Sequence, residues 1–184
     1  GLLTTNSSST AMTITSSEGA ITDAGSTLVD IVAASGTVTI DAATGVDIDT
    51  TVAILDLDNA TSGNIDINET NALSIHQIDQ DGTGTVNVDA AGTITVVASQ
   101  SGVTATSGNI ELDANGASSD IVVNDGLTTS SGNISILADN DITFGADGDV
   151  TSTSGNMTVT SDSDNGGTSS GALTMNDGTL INAG

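Results

Sequence analysis

The chain has 184 residues with 24 acids, one histidine and neither lysine nor arginine, a formal charge of −24, and it lacks Cys, Pro, Trp and Tyr altogether. Such a surface repels polyanions, so nucleic acid is excluded as a partner; disulfides are excluded too, and no apolar run reaches the roughly 18–20 residues of a membrane-spanning helix, so no membrane insertion is expected. High charge with few aromatics favours disorder, but 36% hydrophobic residues, many of them Ile, Val and Leu at regular positions, imply a buried interior.

The chain opens Gly1-Leu2-Leu3-Thr4-Thr5, without a Met start or an apolar signal core, and this phrase resembles Gly126-Leu127-Thr128-Thr129 further on. It reads as the last strand of a coil entered part-way. A hexad of the form Ser/Thr-Gly-Asn-apolar-polar-apolar then recurs. Loose copies come first, Ser9-Thr10-Ala11-Met12-Thr13-Ile14 and Ser35-Gly36-Thr37-Val38-Thr39-Ile40, and Ser62-Gly63-Asn64-Ile65-Asp66-Ile67 is the first clear one. Thr83-Gly84-Thr85-Val86-Asn87-Val88 is loose again. Ser107-Gly108-Asn109-Ile110-Glu111-Leu112, Ser131-Gly132-Asn133-Ile134-Ser135-Ile136 and Ser154-Gly155-Asn156-Met157-Thr158-Val159 are clear. The second residues of these copies fall at 10, 36, 63, 84, 108, 132 and 155, a period of about 24 residues.

Each period divides into three short runs of alternating apolar and polar residues, the mark of half-buried strands. In the coil from Gly132 the runs are 133–138, 141–144 and 149–153; in the coil from Gly108 they are 109–113, 120–123 and 127–129. Gly, Asp and Asn stand at the corners between them. At the far end, Gly171-Ala172-Leu173-Thr174-Met175 and Asp177-Gly178-Thr179-Leu180-Ile181 read as the second and third strands of a last coil. The expected fold is therefore all-β: a parallel β-helix, or β-solenoid, with three short strands per coil of about 24 residues and about seven coils. It fills 1–184 as a single repeat segment of a longer array or fibre. Aligning the hexads places Met12, Val38, Ile65, Val86, Ile110, Ile134 and Met157 in one inward column, and Ile14, Ile40, Ile67, Val88, Leu112, Ile136 and Val159 in a second. The second strands contribute Val46 and Ile48, Leu73 and Ile75, Ile94 and Val96, Ile121 and Val123, and Ile142 and Phe144.

The Ser-Gly-Asn-Ile run, with phrases such as Leu137-Ala138-Asp139-Asn140-Asp141-Ile142-Thr143-Phe144 and Gly171-Ala172-Leu173-Thr174-Met175, resembles the β-helical repeats of giant bacterial filamentous-haemagglutinin-like adhesins over nearly the whole chain. The resemblance implies a secreted or surface-attached, rod-like protein of aquatic or host-associated bacteria. It implies no ligand.

The corner residues Asn64, Asn109, Asn133 and Asn156 are placed to form a coil-to-coil ladder of side-chain hydrogen bonds. His76, alone and without cysteine, makes a poor metal site. Hard oxygen ligands on turns suit calcium, and the candidate ligands are Asp79, Asp81, Asp139, Asp141, Asp147, Asp149, Asp162 and Asp164, the last two in the phrase Asp162-Ser163-Asp164-Asn165. They are joined by Asp41, Asp89 and Asp113, which the hexad alignment sets with Asn68 in one outward column. Adjacent charges in such a column, about 4.8 Å apart, repel by about 0.9 kcal/mol in water and about 3.5 kcal/mol at an effective dielectric near 20. Calcium is thus the one expected cofactor. The Thr pairs 13/15, 37/39, 93/95 and 158/160 are not expected to repeat in register on one flat face.

The expected function is a non-catalytic, structural extracellular rod: an adhesin stalk or fibre-forming module located outside the cell or at its surface. Its partners are neighbouring repeats of the same chain, or other copies joined by end-to-end or edge stacking. The alternative is a β-helix that binds or cleaves polysaccharide, but lyase chemistry on polyanionic sugars needs the cationic groups that this chain lacks.

Overall fold

A computed structural model describes residues 2–4, 11–25, 28–164 and 171–184. Ser9 and Thr10 of the first hexad, Gly1 and Thr5 of the opening phrase, and Asn165 lie outside the described residues. The chain is a parallel β-solenoid of about six turns of roughly 23 residues, with three strands per coil. There is no helix among the described residues, and so none long and apolar enough to cross a membrane.

In chain order the strands are β1 (Leu3–Thr4), β2 (Met12–Ser16), β3 (Ile21–Thr22), β4 (Ile31–Ala42) and β5 (Val46–Asn59), followed by β6 (Ile65–Glu69) and β7 (Leu73–Gln80). Four more regular passages follow. They comprise β8 (Val86–Ala90), β9 (Ile94–Val96) and β10 (Gly102–Ala105); β11 (Ile110–Ala114), β12 (Ile121–Val123) and β13 (Leu127–Thr129); β14 (Ile134–Ala138), β15 (Ile142–Phe144) and β16 (Val150–Ser152); and β17 (Met157–Ser161), β18 (Leu173–Met175) and β19 (Ile181–Ala183). Every pairing between them is parallel, each strand lying on its equivalent one turn away.

The first face stacks β3, the start of β5, β6, β8, β11, β14 and β17. Its inward columns are Ile21, Val46, Ile65, Val86, Ile110, Ile134, Met157 and Ile48, Ile67, Val88, Leu112, Ile136, Val159. The second face carries Leu73, Ile94, Ile121, Ile142 and Leu173 beside Ile75, Val96, Val123, Phe144 and Met175. On the third face Ile14, Ile40, Leu57, Ile78, Val103, Leu127, Val150 and Ile181 form one column. All of these side chains but the exposed Leu173 and Met175 make one continuous apolar core along the axis.

From Ile65 onward the expected first-strand columns are the observed ones. Before it they differ. Met12 and Val38 lie under Leu55, and Ile14 and Ile40 lie under Leu57, all away from the first face. Val46 and Ile48, expected in a second strand, occupy the first face beneath Ile65 and Ile67. The physical reason is that β4 and β5 run on through a corner without a turn, so the alternation there carries no marker of which face it is on. Val46 and Ile65 are one turn apart yet only 19 residues apart, which shortens this turn and shifts the frame.

The corner glycines explain the Ser-Gly-Asn motif. A Cβ on Gly84, Gly108, Gly132 or Gly155 would fall far inside van der Waals contact of the carbonyl oxygen of the corner glycine one turn earlier, respectively Gly63, Gly84, Gly108 and Gly132. None of these four has a positive φ; among the corner glycines of this series only Gly63 does. Space between stacked backbones, and not left-handed conformation, therefore selects glycine at the four. Gly132→Ala is expected to destabilise the rod by about 1–3 kcal/mol through overpacking that backbone cannot relieve. Gly126→Ala is the control, since a Cβ there meets nothing nearer than 3.9 Å, and it should be neutral or stabilising by about 0.4–1 kcal/mol. Chemical denaturation of both variants checks the contrast, and equal midpoints would refute the stacked-backbone explanation.

Candidate functional site: corner ladders and acidic columns

The corner is a set of hydrogen-bond ladders running along the rod. Outside it, Asn64 Oδ1 accepts the Thr85 N–H at 3.1 Å, Asn109 Oδ1 accepts the Asn133 N–H at 2.8 Å, and Asn133 Oδ1 accepts the Asn156 N–H at 2.9 Å. The asparagine ladder thus bonds side chain to backbone, with Thr85 as its one substitution between Asn64 and Asn109. The serine hydroxyls add Ser131 to the Ser107 carbonyl at 3.2 Å and Ser154 to the Ser130 carbonyl at 3.4 Å.

Beneath the glycines lies a buried polar column that the hexad does not announce: Asn59, Gln80, Thr129 and Ser152. Thr129 donates to the Gly108 carbonyl at 2.9 Å and accepts the Gly132 N–H at 3.2 Å; Ser152 does the same for Gly132 and Gly155, both at 2.8 Å. Gln80 Nε2 donates to the Gly63 carbonyl at 2.9 Å, and Asn59 joins Gly45, Ser62 and Gln80. Backbone groups buried by close coil packing are satisfied from inside. The available signal was a polar residue at an inward position three or four before four of the five corner glycines; before Gly108 the buried Ala105 takes that place in the column, between Gln80 and Thr129.

The candidate calcium ligands are dispersed along the rod. Asp41 is on the third face with Asp58 and Asp79 stacked on it, so it does not share a column with Asp89 and Asp113; Asp49 takes the place expected for it, beneath Asn68. The same frame shift in the first turns causes this correction. Asp41 accepts from Thr15 Oγ1 at 3.2 Å, Asp79 from the Thr104 hydroxyl and Asp89 from the Asn115 amide. Asp81 and Asp147 are exposed. Asp139 is buried and accepts from Ser163 Oγ at 2.8 Å.

Several acids serve the next coil directly. Asp141 accepts the Ala172 N–H and Asp149 the Leu180 N–H, each at 2.7 Å. Asp120, not singled out from sequence, accepts the Asp141 N–H at 3.1 Å and Asn140 Nδ2 at 2.7 Å. Asp125 accepts the Gln100 N–H at 2.9 Å. Asp162 adopts φ 57° and Asp164 is exposed beside it. Among the described residues no three His, Asp or Glu side chains converge to hold a metal ion. The Thr pairs fall on different faces, Thr13 under Thr39 on the third and Thr158/Thr160 above Ser135/Leu137 on the first.

Partial burial of carboxyls among like charges, with no base nearby, has a clear electrostatic result. Burial, then repulsion from Asp79, Asp81, Asp41 and Asp56, pushes the Asp58 carboxyl up; burial, then Asp89, Asp139 and Glu111, does so for Asp113. Asp47 is raised by burial and then by Asp66, Asp23, Asp49 and Asp30. Asp89 is raised by burial and more weakly by Asp66, against the pull of its hydrogen bond from Asn115.

Comparison with family models, with curated proteins and with solved structures finds no match.

A carboxyl whose folded pKa lies above its unfolded value binds protons more readily in the folded state. Its stabilising contribution is complete below the unfolded value and is lost as pH rises through the folded one. The thermal unfolding midpoint should therefore rise as pH is lowered from about 6 to about 4, the reverse of ordinary acid denaturation. Calorimetry across that range checks it, and a midpoint that falls on acidification would contradict the raised carboxyls.

Proposed function

We propose that this chain is a length of a structural, non-catalytic rod that spaces or builds an extracellular fibre, in the manner of the adhesin stalks its repeats resemble. The observation that carries this reading is that the hydrogen-bond ladders, the corner glycines and the apolar columns all run along one axis and join each coil to the next. The side chains at the corners are spent on holding coils together. Surface grooves on the described residues, such as the one of about 510 Å³ bordered by Asp49, Asn68, Asp89 and Asn115, are open channels along the stack.

The apolar columns continue to both ends of the described stack. Leu173 and Met175, which lie on the fully buried Ile142 and Phe144, are 51% and 49% exposed. A further coil, from the same chain or from another copy, would cover them by the same contacts that join the coils within. Placement outside the cell is part of this proposal and rests on the likeness of the repeat to surface adhesins.

Pulling a single molecule by its two ends tests the rod. It should yield in increments of one coil or small multiples, each releasing about 80 Å of chain, and the protein should neither bind nor cleave polysaccharides in a glycan panel. Saturable glycan binding or turnover would overturn the reading in favour of a polysaccharide-directed β-helix. The acidic columns add a second expectation. Because the folded rod holds its charges closer than the unfolded chain, millimolar calcium should raise the unfolding midpoint more than sodium at equal ionic strength. Identical melting curves would leave general screening as the sole effect of salt.

A further inference from the structure

The first face ends in a column that is alanine in three successive turns, Ala90, Ala114 and Ala138, and Glu69 stands in that column beneath Ala90. Its residue exposure is 3%. A buried carboxylate normally needs a cationic partner, and the chain has no lysine or arginine. Neutral donors take that role. Thr50 Oγ1 donates to Oε2 at 2.8 Å, the Val52 N–H donates to the same oxygen at 2.9 Å, and the Asn71 N–H donates to Oε1 at 3.1 Å.

These donors straddle a corner. Thr50 and Val52 belong to β5 where it rounds the corner without a turn, and Asn71 belongs to the turn between β6 and β7. One carboxyl group therefore ties two successive coils together at the shortened turn. The Thr50 hydroxyl has a second partner within reach, the Asn68 carbonyl at 3.5 Å.

We infer that Glu69, Thr50 and the Asn68 carbonyl form a proton-linked latch that tightens this corner when the carboxyl takes up a proton from solvent. In the ionised state all three donors point at the carboxylate. In the protonated state the new O–H on Oε2 donates to Thr50 Oγ1, and the Thr50 hydroxyl turns to donate to the Asn68 carbonyl. The Val52 and Asn71 amides keep donating to the remaining lone pairs. The number of satisfied groups is preserved while the buried charge disappears.

Acid groups also stand on the strands around it. The strands packed against Glu69 carry Asp47, Asp49, Asp56 and Asp58 on β5, Asp66 on β6 itself and Asp89 on β8, and Asp30 lies beside Asp49. Asp49 and Asp89 border the same groove as Glu69. The single histidine, His76, is on β7. Burial pushes the Glu69 carboxyl above the ordinary glutamate range, against the downward pull of the hydrogen bonds from Val52, Thr50 and Asn71 and of the nearby Thr70 N–H, whose own partner is the Thr50 carbonyl. With a raised folded pKa, the latch is fully tight below the unfolded value and loosens as pH rises through the folded one.

Because other carboxyls surround it, the test reads Glu69 itself. In the full 184-residue chain, side-chain carboxyl NMR should show Glu69 titrating above an ordinary glutamate. Amide exchange at Val52 and Asn71, corrected for intrinsic rates, should lose about tenfold protection for each unit by which that pKa is raised as the solution goes from acid to neutral. Glu69→Gln, which imitates the protonated acid, should hold both amides at the acid level of protection throughout. A Glu69 carboxyl that titrates at or below the ordinary value would overturn the latch. So would Val52 and Asn71 protection in Glu69→Gln that falls with pH as steeply as in the parent. Should that variant fail to fold, the titration of the parent chain decides alone.

Discussion

A coil of three short strands encloses a single layer of side chains and cannot cover that layer itself, so the core residues of each inner coil are buried by the coil before it and the coil after it. The spacing between coils is consequently the quantity on which the molecule depends. The first face shows how tightly it is held: Ile110 sits between Val86 and Ile134, and Leu112 between Val88 and Ile136. A gap at the corner would open the interior to water, and the corner glycines close it by letting backbone touch backbone. That closeness buries carbonyls and amides that strand pairing alone does not satisfy. Thr129, Ser152, Gln80 and Asn59 supply the missing partners from within, and the asparagine ladder supplies others from outside.

The same periodicity that aligns apolar residues inside also aligns carboxylates outside. Asp41, Asp58 and Asp79 stack on the third face, and Asp89 and Asp113 on the first. In a protein with mixed charges such columns would alternate in sign. Here no base offsets them, and burial together with these like neighbours raises the Asp58 and Asp113 carboxyls. Part of the acid content acts by capping. Asp120, Asp141 and Asp149 spend an oxygen on a backbone amide of the next coil, which makes them members of the scaffold as well as carriers of charge.

How much of this was legible in the sequence varies along the chain. From Ile65 onward the hexads identify the columns correctly, because each first strand follows a Gly corner that marks where the coil restarts. In β4 and β5 that marker is missing or displaced: Gly36 lies inside a strand, and the true corner is at Gly45. The alternation stays intact across this stretch while its face changes, which moved Val38, Ile40, Val46, Ile48 and Asp41 to columns other than those expected. Glu69 and the column of Asn59 and Gln80 were not foreseen, since polar residues at inward positions look locally like breaks in the pattern.

The sequence by itself determined that the chain forms strands, that the strands repeat as a solenoid, and in most places which side of each strand faces inward. Those properties follow from an alternation of period two and a repeat near 24 residues, both of which are local and can be counted. Only the tertiary structure decided which strand rests on which in the first turns, why the corner must be glycine, and which polar groups are buried. These depend on backbone atoms of residues about 20–25 positions apart meeting in space, and the register of that meeting is chosen by the closure of the corner, of which the local sequence carries no record.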